Sequence, residues 1–96
     1  GDAMNDQDVL AALTRWGEMG HAVSLWFGLT WREERCVRGW LCTVGAWTQG
    51  SITIGSGISA DGYHPTSPIE AARIALRQAP DLYPATAHAL REQDER

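Results

Sequence analysis

Three histidines and two cysteines are the residues of this chain best suited to metal binding or nucleophilic chemistry. A zinc site needs converging ligands, which a sequence signals as Cys-x-x-Cys or closely spaced histidine pairs. His21, His64 and His88 each stand alone, and Cys36 and Cys42 lie six residues apart. His21 falls at a helix-to-strand junction, His64 in a loop and His88 on the last helix, so all three read as surface or capping residues. Both cysteines fall on one strand, where six residues span roughly 20 Å at ~3.3 Å per residue, too far to bridge. They read as two buried free thiols, which behave as small hydrophobes and suit a reducing compartment. A Cys–His pair is the nucleophilic alternative; for a serine nucleophile the sequence has no Gly-x-Ser-x-Gly elbow. Gly55-Ser56-Gly57 is a fragment of a phosphate loop without the lysine and adjoining helix that such a loop needs. Glu33 and Glu34 form a carboxylate pair in a charged loop and read as solvated. The expectation is a non-enzyme with no catalytic residue, no cofactor and no metal.

The tryptophans carry more information. Five in 96 residues is a high count. Trp16 and Trp40 fit a core. Trp26 shares its strand face with Ala22, Ser24 and Gly28, opposite the apolar row, so it marks a flat and partly apolar surface. Trp31 and Trp47 lie at strand ends. Exposed tryptophan is common at binding hot spots. The candidate partner-binding residues are therefore Trp26, Trp31 and Trp47, with Glu33 and Glu34 beside them. The alternative for Trp26 is cover by the third helix or by a second copy of the chain.

These residues need elements to position them. Asn5 is a good N-cap, Asp6 and Asp8 suit a first turn, and Val9, Leu10, Leu13 and Trp16 recur at helical spacing up to a stop at Gly20. A helix is expected over 6–19. From Ala22 to Thr30 the period becomes two, with Val23, Leu25, Phe27 and Leu29 on one face. Arg32-Glu33-Glu34-Arg35 reads as a loop, Cys36 to Trp47 as a second strand, and Thr48-Gln49-Gly50 as a hairpin turn. Ser51 to Ser59 reads as a third strand with Ile52, Ile54 and Ile58 on one face. Arg38 shares its parity with the apolar Trp40, Cys42 and Val44, and a bulge at Gly39 would resolve that conflict. Ala60 to Thr66 reads as a loop. Ser67-Pro68-Ile69-Glu70 is a capping box with proline at the first helical position. The helix it starts should run through Gln78, burying Ile69, Ala72, Ile74 and Leu76. Ala79-Pro80 should break it, and Asp81 should cap a third helix to about Gln93. The result is one α+β domain over 4–96, with a three-stranded antiparallel sheet, helices on one face and the order α-β-β-β-α-α.

Composition bounds the partners. The net charge is −4, and every basic residue is arginine. An acidic chain without clustered cations is not drawn broadly to nucleic acid or anionic membrane. No apolar run is long enough for a membrane-spanning helix. Gly1-Asp2-Ala3 before Met4 reads as a cloning remnant. No signal peptide follows Met4, so a cytoplasmic protein is expected. An edge strand in such a sheet invites pairing, which makes a homodimer an open expectation.

Three resemblances extend this reading. The α-β-β-β-α order, and a last helix written Ser67-Pro68-Ile69-Glu70-Ala71-Ala72-Arg73-Ile74-Ala75-Leu76, resemble the double-stranded RNA-binding domain. That family grips phosphates with lysines at the start of this helix, where this chain has Ser67, Pro68, Ile69 and Glu70. Under that resemblance Arg32, Arg35 and Arg38 would supply the phosphate contacts. Asp61-Gly62 followed by Glu70-Ala71 is similar to the HicB-type antitoxins. Gly62, Thr66, Glu70 and Ala71, with the tryptophan-bearing strands, resemble small acidic proteins of phages and prophages, some of them anti-CRISPR inhibitors. This last resemblance implies a host protein or protein complex as partner. Acidic side chains such as Asp6, Asp8, Glu18, Glu33 and Glu34 would then occupy a basic groove. The expected function is a non-enzymatic protein-binding module, with a nucleic-acid-binding domain or an antitoxin as the alternatives.

Overall fold

The computed structural model describes residues 5–49, 52–54 and 59–95, with side chains described outside 47–49 and 52–54. The elements are α1 (Asp6–Glu18), β1 (His21–Arg32), β2 (Arg35–Gln49), β3 (Ile52–Ile54), β4 (Ala60–His64), α2 (Pro68–Leu82) and α3 (Pro84–Asp94). The chain is an α+β domain in the expected order of helix, antiparallel sheet and two helices. The sheet has three tracks. β2 is central, β1 pairs with it along one edge, and the third track is filled in two pieces: β3 opposite Trp47 to Gln49 and β4 opposite Trp40 to Val44.

The helix boundaries follow from local chemistry. The Asn5 side chain accepts from the Asp8 amide at 2.9 Å, the Asn5 amide donates back to the Asp8 carboxylate, and Gly20 leaves the helix with φ 100°. Ser67 caps α2 by accepting from the Glu70 amide at 3.1 Å. The return half of that box is taken by another group. The Ser67 amide donates to His64 Nδ1 at 2.9 Å, and Glu70 turns to Arg73. α2 does not stop at Ala79-Pro80. It continues to Leu82 with Pro80 inside it, and Asp81 lies in this helix rather than capping the next. Proline so near a C-terminus removes one hydrogen bond, while the Tyr83 amide still reaches the Ala79 carbonyl at 2.9 Å. The break comes before Pro84, which disfavours helical backbone at Tyr83 (φ −130°, ψ 67°) and then starts α3.

The strands are longer than the sequence pattern suggests. The β1–β2 hairpin closes through Glu33 and Glu34 alone, both left-handed at φ 50° and 65°. Gly28 pairs with Gly39 and Leu29 with Arg38 in unbroken register, so there is no bulge at Gly39; the register shift lies between His21 and Val23. Ala60 to His64, expected as loop, is strand β4. The expected third strand over 51–59 is described only at Ile52–Ile54, and Ile58 lies outside the described residues.

The core sits between α1, α2 and the near half of the sheet. Val9, Leu13 and Trp16 from α1 meet Cys42, Val44 and Ala60 from the strands. α2 contributes Ala71, Ala72, Ala75 and Ala79, all fully buried, with Ile69 and Leu76 partly buried beside them. This alanine row lets the helix backbone settle onto β4. A Cβ at Gly62 would run into the Ala71 carbonyl oxygen and sit 2.7 Å from the Ala75 amide nitrogen. Glycine at 62 is therefore a packing requirement.

Candidate functional site

β1 and β2 run on beyond the helices as a two-stranded arm. Side chains alternate across it. One row continues the face that α1 and α2 cover; the other lies on the opposite, open face.

On the helix-side face, Val23 and Leu25 pack against the core. Past them, cover ends. Phe27 is 50%, Leu29 61% and Trp31 71% exposed. Their cross-strand partners are Trp40, Arg38 and Cys36. Phe27 and Trp40 meet edge to face at 5.4 Å. Phe27 and Leu29 were expected under the helices and are not, because the helix layer stops one row short of them. The same limit explains Arg38, which keeps the parity of Trp40 and Cys42 but lies beyond the covered rows. Cys36, expected to be buried, is exposed for the same reason, whereas Cys42 is buried. Burial pushes the Cys42 thiol up to about 11, with Asp61 adding to the effect. That thiol is inert.

The open face carries Trp26 and Tyr63, then Gly28 opposite Gly39, Thr30 opposite Val37, and Arg32 opposite Arg35. Trp26 is 40% exposed, as its parity suggests. Tyr63 donates its hydroxyl to the Arg38 carbonyl at 2.9 Å, and the Arg32 guanidinium carbon lies 5.5 Å from its ring centroid. Arg32, Glu33, Arg35, Val37 and Tyr63 surround a shallow depression of about 270 Å³.

The candidate residues named from sequence are thus divided. Trp31 and Trp26 lie on opposite faces of one arm. Glu33 and Glu34 form its turn and are exposed. The backbone of Trp47 pairs with His21 and Ile54 at the other end of β2, and its side chain lies outside the described residues. Arg32 and Arg35 share the open face, while Arg38 points to the helix side.

Sequence reasoning missed the role of His21. It is 4% exposed, not a surface cap. Nδ1 lies 2.9 Å from the Gly45 carbonyl oxygen and Nε2 2.8 Å from Thr86 Oγ1. The carbonyl requires a proton on Nδ1, so Nε2 accepts from the threonine hydroxyl. Trp16 and Tyr83 flank the ring at 5.1 and 4.5 Å between centroids. Desolvation lowers the His21 pKa, against a smaller upward pull from Gly45. This histidine ties β1 to α3. His64 accepts backbone amides at the start of α2, and His88 pairs with Glu92 on the surface. Among the described residues no group of three or more histidine, cysteine or acidic side chains could hold a metal ion. Among them, too, no helix is long and apolar enough to cross a membrane.

Compared with the known protein families, the curated proteins and the solved structures, the chain matches none.

Proposed function

We propose that this chain is a non-enzymatic protein-binding module that meets its partner with the helix-side face of the arm. The observation that carries this reading is the row Phe27, Leu29 and Trp31, half or more exposed on a face that elsewhere forms the core. Taking about 150–250 Å² for each full aromatic side chain and a similar lower-end area for Leu29, these three expose on the order of 350 Å² of apolar surface. That is within the range of the largest apolar patch on a typical monomer, a patch that is often functional. Trp40 backs the row, and Arg38 at its rim supplies a charged, specificity-giving contact.

The partner class follows from the resemblance to small acidic phage proteins: a host protein or complex, with inhibition of a bacterial defence complex as the narrower form of the proposal. The charge distribution supports it. Outside the β1–β2 hairpin the chain has ten acidic residues against five arginines, a surface suited to a basic groove.

The test is retention of a partner from nuclease-treated bacterial lysate by the wild type and by a Leu29→Ser, Trp31→Ser double variant. Both residues are exposed, so the variant should melt with the wild type. A discrete protein held by the wild type and lost by the folded variant supports the reading. Equal retention by both, or retention abolished by nuclease, overturns it.

A further inference from the structure

We propose that the open face of the arm is a separate binding site for a short segment of single-stranded nucleic acid, with bases stacked on Trp26 and the Tyr63–Arg32 pair and phosphates held by Arg32 and Arg35. The floor of this site is built for flat groups. Gly28 and Gly39 are direct partners in the ladder. The Trp26 ring leans over Gly28, where a Cβ would stand 3.0 Å from Cζ3 and 3.3 Å from Cε3. The Tyr63 ring leans over Gly39, where a Cβ would stand 2.6 Å from Cε2. Two aromatic rings thus lie down side by side over a glycine pair, both towards the arm's tip. Stacking on such rings is tolerant of base identity.

The cations are placed to complete the site. Arg32 and Arg35 face each other directly across the hairpin on this face. Like charges in that position repel. Arg15 and Arg73 each have a carboxylate partner, whereas among the described residues Arg32 and Arg35 have none. An anion in the depression between them relieves the repulsion and takes charge-assisted hydrogen bonds from two forked donors. The Arg32 guanidinium also lies over the Tyr63 ring, so the same group serves cation–π contact and charge.

Two features set the length and the strand number. From the Trp26 row to the Arg32 row is roughly 20 Å along the strand, room for a few nucleotides. Glu33 lines the same depression as the two arginines, and with Glu34 it ends the track at the tip by repelling further phosphates. The β1–β2 hairpin holds three arginines against two glutamates and is the cationic part of an otherwise acidic chain. A duplex hides its base faces and offers nothing to stack on Trp26. An acidic peptide fits Arg32 and Arg35 but brings no planar group for each ring, so the paired rings favour nucleic acid.

The test uses fluorescein-labelled (dT)10 and (rU)10 titrated with the full chain at low and moderate salt. Binding should appear at low salt, with log K falling against log salt with a slope of about −1.4 for two phosphates on a single strand. An Arg32→Gln, Arg35→Gln variant should flatten that slope and weaken binding at least about tenfold. Trp26→Ala should weaken binding by about fivefold or more, the lower end for loss of one stacked base. The Leu29→Ser, Trp31→Ser variant, altered on the other face, should bind the oligonucleotides as the wild type does. That control separates this site from the protein-binding face, and either can fail without the other. No binding at low salt overturns the proposal. So does binding unchanged by the arginine and Trp26 substitutions. Equal displacement by an oligoglutamate decamer would make the face a carboxylate site and overturn it as well.

Discussion

At Cys42 and Val44, β2 buries one row of side chains under α1 and α2. Two residues towards the tip Trp40 still packs partly against the core, and four residues on, at Arg38, the same row of the same strand comes out from under the helices. The alternation of apolar and polar residues does not change along β1, but its surroundings do. Val23 and Leu25 are held by a helix layer, and Leu29 and Trp31 by none. Periodicity therefore reports which face a side chain takes, not whether anything covers it. In the covered half the apolar row is explained by the core. In the arm it is not.

Substitutions should separate the two halves sharply. The largest effect is expected at Gly62→Ala, because the new methyl group meets the α2 backbone, which no rotamer change can move aside. A loss of about 3 kcal/mol or more in urea unfolding is expected. Gly28→Ala in the arm meets only the Trp26 ring, a side chain free to tilt, and should cost under about 1 kcal/mol. Equal losses would mean that the arm is as tightly held as the core. Next in size, Val44→Ala should cost about 2 kcal/mol for a fully buried side chain. Leu29→Ala should lie within about 0.5 kcal/mol of the wild type, as exposed positions do.

Acidification should act on the covered half first. The folded-state pKa of His21 is lowered below its ordinary value of 6.5. The unfolded chain therefore binds a proton more readily, and stability is lost as pH falls below about 6.5 until the folded pKa is passed. The slope cannot exceed about 1.4 kcal/mol per pH unit from this one group. A His21→Phe variant should lose that pH dependence. If the slope survives in it, the anchor lies elsewhere. A gain rather than a loss is expected at the tip. Asn at 33 and Gly at 34 are the residues that a two-residue turn with both φ positive prefers, so Glu33→Asn with Glu34→Gly should stabilise the chain by about 1 kcal/mol. The exposed Cys36 gives a reading without mutation. A thiol reagent should modify it in the native state and reach Cys42 only on unfolding.

Much of the fold was legible because its signals are local. Ser67 and Pro68 announce α2, Asn5 and Gly20 bound α1, and alternation assigns the faces of β1 and β2. The misread segments depend on distant partners. Ala60-Asp61-Gly62-Tyr63-His64 has the composition of a loop, and becomes strand because β2 supplies its ladder and Gly62 admits α2. Pro80 looks like a helix breaker, and is tolerated because only the last turn follows it. His21 follows a helix stop like any surface residue, and its burial is decided by Thr86, 65 positions away. The candidate faces were half legible. Parity separated Trp26 from the apolar row, but only the reach of the helices shows Phe27, Leu29 and Trp31 in the open.

The two left-handed glutamates at the arm's tip have a consequence for the order in which the molecule folds. Glu33-Glu34 lacks the left-handed preference of an Asn-Gly turn and is forced into that shape by the strands around it. The ladder is then expected to zip outwards from Leu25 and Cys42, where the helices add contacts, and to close at Arg32 and Arg35 last. Replacing the turn should consequently slow unfolding and leave the folding rate nearly unchanged, the pattern of contacts formed after the rate-limiting step.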